Sequence, residues 1–169
     1  SAVGGGSVAA ANGNFGGLRR EINWDGVPTA FSDPVLLPNN FFNANSPRGA
    51  EFRTPGAGTG VIVSANSGLP TPTLFGFPGD LQTFSAQKLF ATVGTNIMDI
   101  DFFVPGTSTR AVTSAFAAIF VDVEDNNAVN FTKMEFFDLK NSLIFSKHVL
   151  AAGNSGLSFL GGIADAGDQ

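Results

Sequence analysis

Residues 96–150, NIMDIDFFVPGTSTRAVTSAFAAIFVDVEDNNAVNFTKMEFFDLKNSLIFSKHVL, decide the fold. At 96–104, Met98, Ile100, Phe102 and Val104 are apolar, with Asp99 and Asp101 between them. Successive side chains on a strand point to opposite faces, so this alternation predicts a half-buried strand. A helix would gather Asp99, Phe102 and Phe103 on one side, a poorer separation. Pro105-Gly106 ends the run. Residues 111–123 follow, apolar on both faces from Ala115 to Val121, as expected of a central strand covered on both sides. Glu124-Asp125-Asn126-Asn127 supplies turn chemistry. Residues 130–137 alternate again, with Thr132, Met134 and Phe136 set against Lys133, Glu135 and Phe137. Asp138-Leu139-Lys140-Asn141 is the next turn, and residues 142–150 return as a hairpin partner. Strands in a row, with short polar turns and no helix between them, predict an all-β, antiparallel, jelly-roll-like β-sandwich.

Working outward, 169 residues suffice for one domain with a substantial core, expected over 18–169. Eighteen Phe and 43% hydrophobic residues argue against a disordered chain. Twenty-one Gly and nine Pro imply many loops and short strands. With no cysteine, thiol catalysis and thiolate metal sites are excluded. A net charge of −5 with scattered Lys and Arg opposes binding to a nucleic-acid backbone, which needs clustered cations. No run approaches the ~20 apolar residues that span a bilayer. Ser1 stands where a nascent chain has Met, so a removed signal peptide and an exported, bacterial type of protein are expected.

Residues 1–17, SAVGGGSVAAANGNFGG, carry no charge. They read as a flexible leader or as an arm that adds a strand to a neighbour's sheet, with Val3, Val8 and Phe15 as anchors. Residues 18–22 predict a short strand, and Asp25-Gly26 a tight turn. Trp24, the single Trp, reads as a core plug or as a stacking platform for a sugar. Residues 32–48 and 66–82 are long Pro-rich loops of the kind that is functional or pinned by a ligand. Short strands are expected at 50–54, 60–65, 87–93 and 157–161.

Asp122, Glu124, Asp125, Asn126 and Asn127 form the densest oxygen cluster. Calcium takes six to eight oxygen ligands, so this turn is the candidate metal site, with Asp25 as a further contributor. Calcium is the expected cofactor; the plain alternative is a solvated turn. No catalytic constellation emerges. His148 is the single histidine, and Gly153-Asn154-Ser155-Gly156 has the wrong spacing for a nucleophile elbow. Asp99 and Asp101 are explained more simply by an amphipathic strand than by a glycosidase pair, which needs a cleft.

Six segments together resemble a family of exported bacterial β-sandwich domains, often of unassigned function and sometimes in proteins with a C-terminal sorting signal. They are EINWDGVP at 21–28, FFNANSPRGAEFRTPG at 41–56, DIDFFVPGT at 99–107, AIFVDVED at 118–125, MEFFDLKNSLI at 134–144 and LSFLGG at 157–162. The resemblance implies a jelly-roll-like sandwich, similar to carbohydrate-binding modules, and no known reaction. It also implies a further strand after LSFLGG, where this sequence ends seven residues beyond Gly162. A sheet short of a strand exposes a template for another chain. Two functions follow as expectations. The first is a non-catalytic exported protein that associates with copies of itself in, or decorates, an extracellular or cell-surface structure, including filaments. The second is a carbohydrate-binding module with structural calcium, its partner a polysaccharide.

Overall fold

The computed structural model describes residues 20–65, 74–84, 87–125 and 127–164. The chain divides into two compact units, each considered by itself. The first holds the described residues of Ser1–Phe75 and Ser85–Ala111, the second those of Gly76–Phe84 and Val112–Gln169.

Unit one contains β1 (Leu36–Leu37), β2 (Ala50–Arg53), β3 (Gly60–Val63), β4 (Phe90–Val93) and β5 (Asp99–Phe102). β3 lies between β1 and β4, and β2 pairs with β5; all pairings are antiparallel. The β2–β5 register sets Ala50 opposite Phe102 and Phe52 opposite Ile100 on one face. Glu51 opposite Asp101 and Arg53 opposite Asp99 share the other. The apolar face enters a core of Val27, Leu37, Phe41, Phe42, Ala50, Phe52, Val61 and Val63, with Trp24 and Phe90 against it. The charged face would set two carboxylates side by side, but guanidinium groups separate them. Arg53 reaches Glu51 at 2.8 Å and Asp101 at 3.2 Å, and Arg110 reaches Asp101 at 2.6 Å. Asp101, which the sequence reads as the polar side of an amphipathic strand, therefore sits in a four-member ion network.

The loop 32–48 is tied down by its own residues. Phe41–Asn45 form one wide helical turn with Phe41, Phe42 and Asn43 buried. The Asn43 amide donates to Glu51 Oε1 at 3.0 Å and to Thr107 O at 2.9 Å, while its oxygen accepts from Gly106 N. A buried amide thus has its donors and acceptor satisfied, as burial requires.

Unit two contains β6 (Ala115–Val121), β7 (Lys133–Phe137), β8 (Leu143–His148) and β9 (Leu157–Ile163). They form two antiparallel ribbons, β6–β9 and β7–β8. The predicted hairpin at 130–150 is present, closed by the expected turn: Asp138 Oδ1 accepts from both Lys140 N and Ser142 N at 2.8 Å. Its first strand starts at Lys133, so Asn130–Thr132, expected within the strand, precede it. The inward sides of the ribbons share a small apolar cluster of Val123, Val149 and Leu160, joined by Phe120 and Met134.

One expectation changes here. Residues 115–121 do form a strand, but it is not covered on both sides. Among the described residues β6 pairs only with β9, and Ala117 and Ile119 on its outward face are exposed. Residues 20–22, the described part of the strand expected at 18–22, are irregular.

Candidate functional site

Trp24 starts a 3₁₀ turn, Trp24–Gly26, whose first amides are capped by Asn23: its side-chain oxygen accepts from Asp25 N at 2.9 Å. This turn lays the indole parallel to Phe90 at 4.0 Å and against the edges of Phe42 and Phe52 at 5.1 and 5.4 Å. One face of the ring is therefore part of the core. Asp25 ties the turn to a distant segment, its Oδ1 accepting from Gln87 N at 3.1 Å and Lys88 N at 2.8 Å. Beside it the Lys88 side chain is 1% exposed, donating from Nζ to Val27 O at 2.5 Å and Ser32 Oγ at 3.0 Å. Burial pushes this amine below the usual lysine value, with the Asp25 carboxylate opposing the shift.

The acidic turn belongs to unit two, so Asp25 and the turn are on different units. Asp122 follows β6 with a left-handed backbone, φ +62°. Its amide donates to Gly156 O, and its Oδ1 accepts from Ser155 N at 3.0 Å. The Ser155 hydroxyl in turn donates to Asp80 O at 2.8 Å. These bonds collect three distant segments around a recess of about 490 Å³ lined by Phe77, Asp80, Leu81, Asp122, Glu124 and Asn154. Asp125 points into its own turn, accepting from the Asn130 amide at 3.4 Å. Asn126 lies outside the described residues, as do Val3, Val8 and Phe15.

Two of the predicted metal residues, Asp122 and Glu124, thus share one recess, and the structure adds Asp80, Asn154 and Phe77. The sequence signal for Asp80 was its Pro78-Gly79-Asp80 turn; what it could not carry is the link to Ser155, 75 residues on. Among the described residues no three carboxylate or imidazole side chains form a group able to hold a metal ion. His148 ends β8, stacked on Phe131 at 4.7 Å with rings 5° from parallel.

The architecture defines an antiparallel all-β protein. No family model matches the chain, and no curated protein or solved structure does. None of its described helices is long and apolar enough to cross a membrane.

Proposed function

We propose that this is a non-catalytic, exported protein of the bacterial cell exterior, built as a jelly-roll-like sandwich, that associates with copies of itself. The observation that supports this most is the outward side of the β6–β9 ribbon. Its eight residues are Ala115, Ala117, Ile119 and Val121, paired with Ile163, Gly161, Phe159 and Leu157. All are apolar, and Phe159 is 69% and Ile163 58% exposed. A contiguous apolar patch of this kind marks an interaction surface. Among the described residues neither β6 nor β9 has a second strand partner, so an added strand could join the ribbon, and residues 1–17 are the proposed donor. Light scattering over a concentration series tests the reading. Particles larger than one chain, reduced by deleting residues 1–17, are expected; a monomer at all concentrations defeats it.

A second reading rests on the recess. Asp80, Asp122, Glu124 and Asn154 line it beside exposed Phe77, which offers oxygen atoms and an aromatic surface to a carbohydrate, and calcium binding would have to draw the carboxylates together. Calorimetric titration with calcium, and then with oligosaccharides, tests it. Asp122→Asn with Glu124→Gln should abolish the calcium heat; no heat from the wild type rejects this reading. Trp24→Ala is a poor probe of sugar binding, because removing a ring packed on three Phe side chains costs about 3–5 kcal/mol in stability.

A further inference from the structure

We infer that the outward face of the β6–β9 ribbon pairs with the same face of a second copy about a two-fold axis, in one register. The inference rests on the self-association reading and specifies its contact. Directly opposed residues on antiparallel strands share a face, so the register orders this face into four rows. They run Val121 with Leu157, Ile119 with Phe159, Ala117 with Gly161, and Ala115 with Ile163. The rows are not equivalent. Ile119 and Phe159 form a ridge, and the Ala117–Gly161 row beside them forms a hollow. The hollow is fixed by the pairing itself, since a Cβ on Gly161 would come within 2.7 Å of the Ala117 Cβ.

A two-fold interface must complement itself, because the same patch serves both partners. Here a ridge and a hollow lie in adjacent rows, about 7 Å apart along the strands. Place the axis in the plane of the contact, across the strands, midway between these two rows. Phe159 then lies over the partner copy's Gly161 position and Ile119 over its Ala117 position. Val121 meets the Ala115 position and Leu157 the Ile163 position. Each pair joins a large side chain to a smaller one, except Leu157 with Ile163 at the rim. No charge lies on the face, so nothing on it repels a copy of itself.

The size of the patch agrees with a second copy as occupant. Phe159, Ile163, Ile119 and Leu157 are 69%, 58%, 38% and 38% exposed, which for side chains of this size is on the order of 500 Å² of apolar surface per copy, within the range of a functional patch. Two copies would bury at most about 1,000 Å², the size of a weak, transient interface. That area fits a reversible homodimer.

The test uses the full chain, which has no cysteine of its own. Leu157→Cys and Ile163→Cys chains are prepared separately, and a short bismaleimide is added to each alone and to the mixture. The 157–163 pairing predicts efficient coupling in the mixture and little in either alone. Sedimentation should show a concentration-dependent dimer, weakened more than about tenfold by Phe159→Glu, since a central aromatic carries much of such a contact. Ala117→Leu, which fills the hollow from an exposed position, should weaken it too and serves if Phe159→Glu fails to fold. Assembly that survives both substitutions, without 157–163 coupling, overturns this face and leaves self-association standing. A chain monomeric at every concentration overturns both, as does a monomer whose Phe159 is shielded from hydroxyl-radical labelling, because its own chain then covers the face.

Discussion

Two positions show how single residues hold unit one in place. Gly49 has φ +73°, and a Cβ there would sit 2.3 Å from Phe103 O. Its carbonyl accepts from Phe103 N at 2.8 Å, so the backbones of the two segments are in direct contact. Gly49→Ala must adopt a left-handed backbone, at about 1–2 kcal/mol, and displace a carbonyl as well. We expect a loss above about 2 kcal/mol in denaturant unfolding; a loss under about 0.5 kcal/mol would mean the contact is looser than described. Lys88 gives a pH signature. Its folded value is lowered, so in the window between that value and the usual ~10.4 the unfolded chain holds a proton the folded chain has lost. Stability from this group therefore rises with pH through that window and is level below it. Lys88→Met should remove this rise, seen as a difference between the two urea-midpoint curves; parallel curves would refute it. Neither residue was singled out from sequence. A Gly among many, and a Lys in a strand-like run, carry no local mark of a contact made tens of residues away.

At the scale of elements, the hairpin of unit two was the most legible part of the chain. Alternation in 130–137, a turn built on Asp138 and Asn141, and a returning strand all act within 20 residues, and β7, the turn and β8 appear where local chemistry puts them. The β2–β5 pairing was less legible: both strands were expected, but their partnership spans about 50 residues and is set by matching faces. β6 was found as a strand and misread as enclosed. Apolar residues on both faces predict cover on both, whereas Ala117 and Ile119 are exposed within the chain. The turn itself makes a prediction. Asp138 is held below the usual carboxylate range, first by the Ser142 amide and then by that of Lys140. A depressed value contributes stability that is present above the unfolded value, near 3.9, and lost as pH falls through the folded one. Exchange protection of the Ser142 and Lys140 amides should hold down to about pH 4, after allowing for intrinsic rates, and fall below it. Asp138→Ala should lack that protection at neutral pH. Equal protection in both proteins would show that the carboxylate does not close the turn.

At the scale of the whole molecule, the two units differ in what stabilises them. Among the described residues, unit one has eight buried apolar residues in its cluster, with six more side chains packed on it. Unit two has three, with two more. The outward face of β6–β9 carries further apolar side chains, with Phe159 69% and Ile163 58% exposed, and these contribute to stability only when something covers them. The candidate recess belongs to unit two alone. Its Asp122–Glu124 half was readable as an oxygen-rich turn, while Asp80 is joined to it only through the tertiary hydrogen bonds of Ser155. Trp24 lies in unit one and is the single Trp, so its fluorescence reports that unit, whereas far-UV circular dichroism reports both. In dilute solution, where self-association is absent, the dichroism midpoint in urea should precede the fluorescence midpoint, because unit two gives way first. Raising the protein concentration should move the early transition up, since an assembly that binds only folded chains stabilises them by mass action. In Phe159→Glu that movement should vanish while the fluorescence midpoint stays in place. Coincident transitions at every concentration would instead mean that the chain unfolds as one cooperative body and that the outward face adds nothing to its stability.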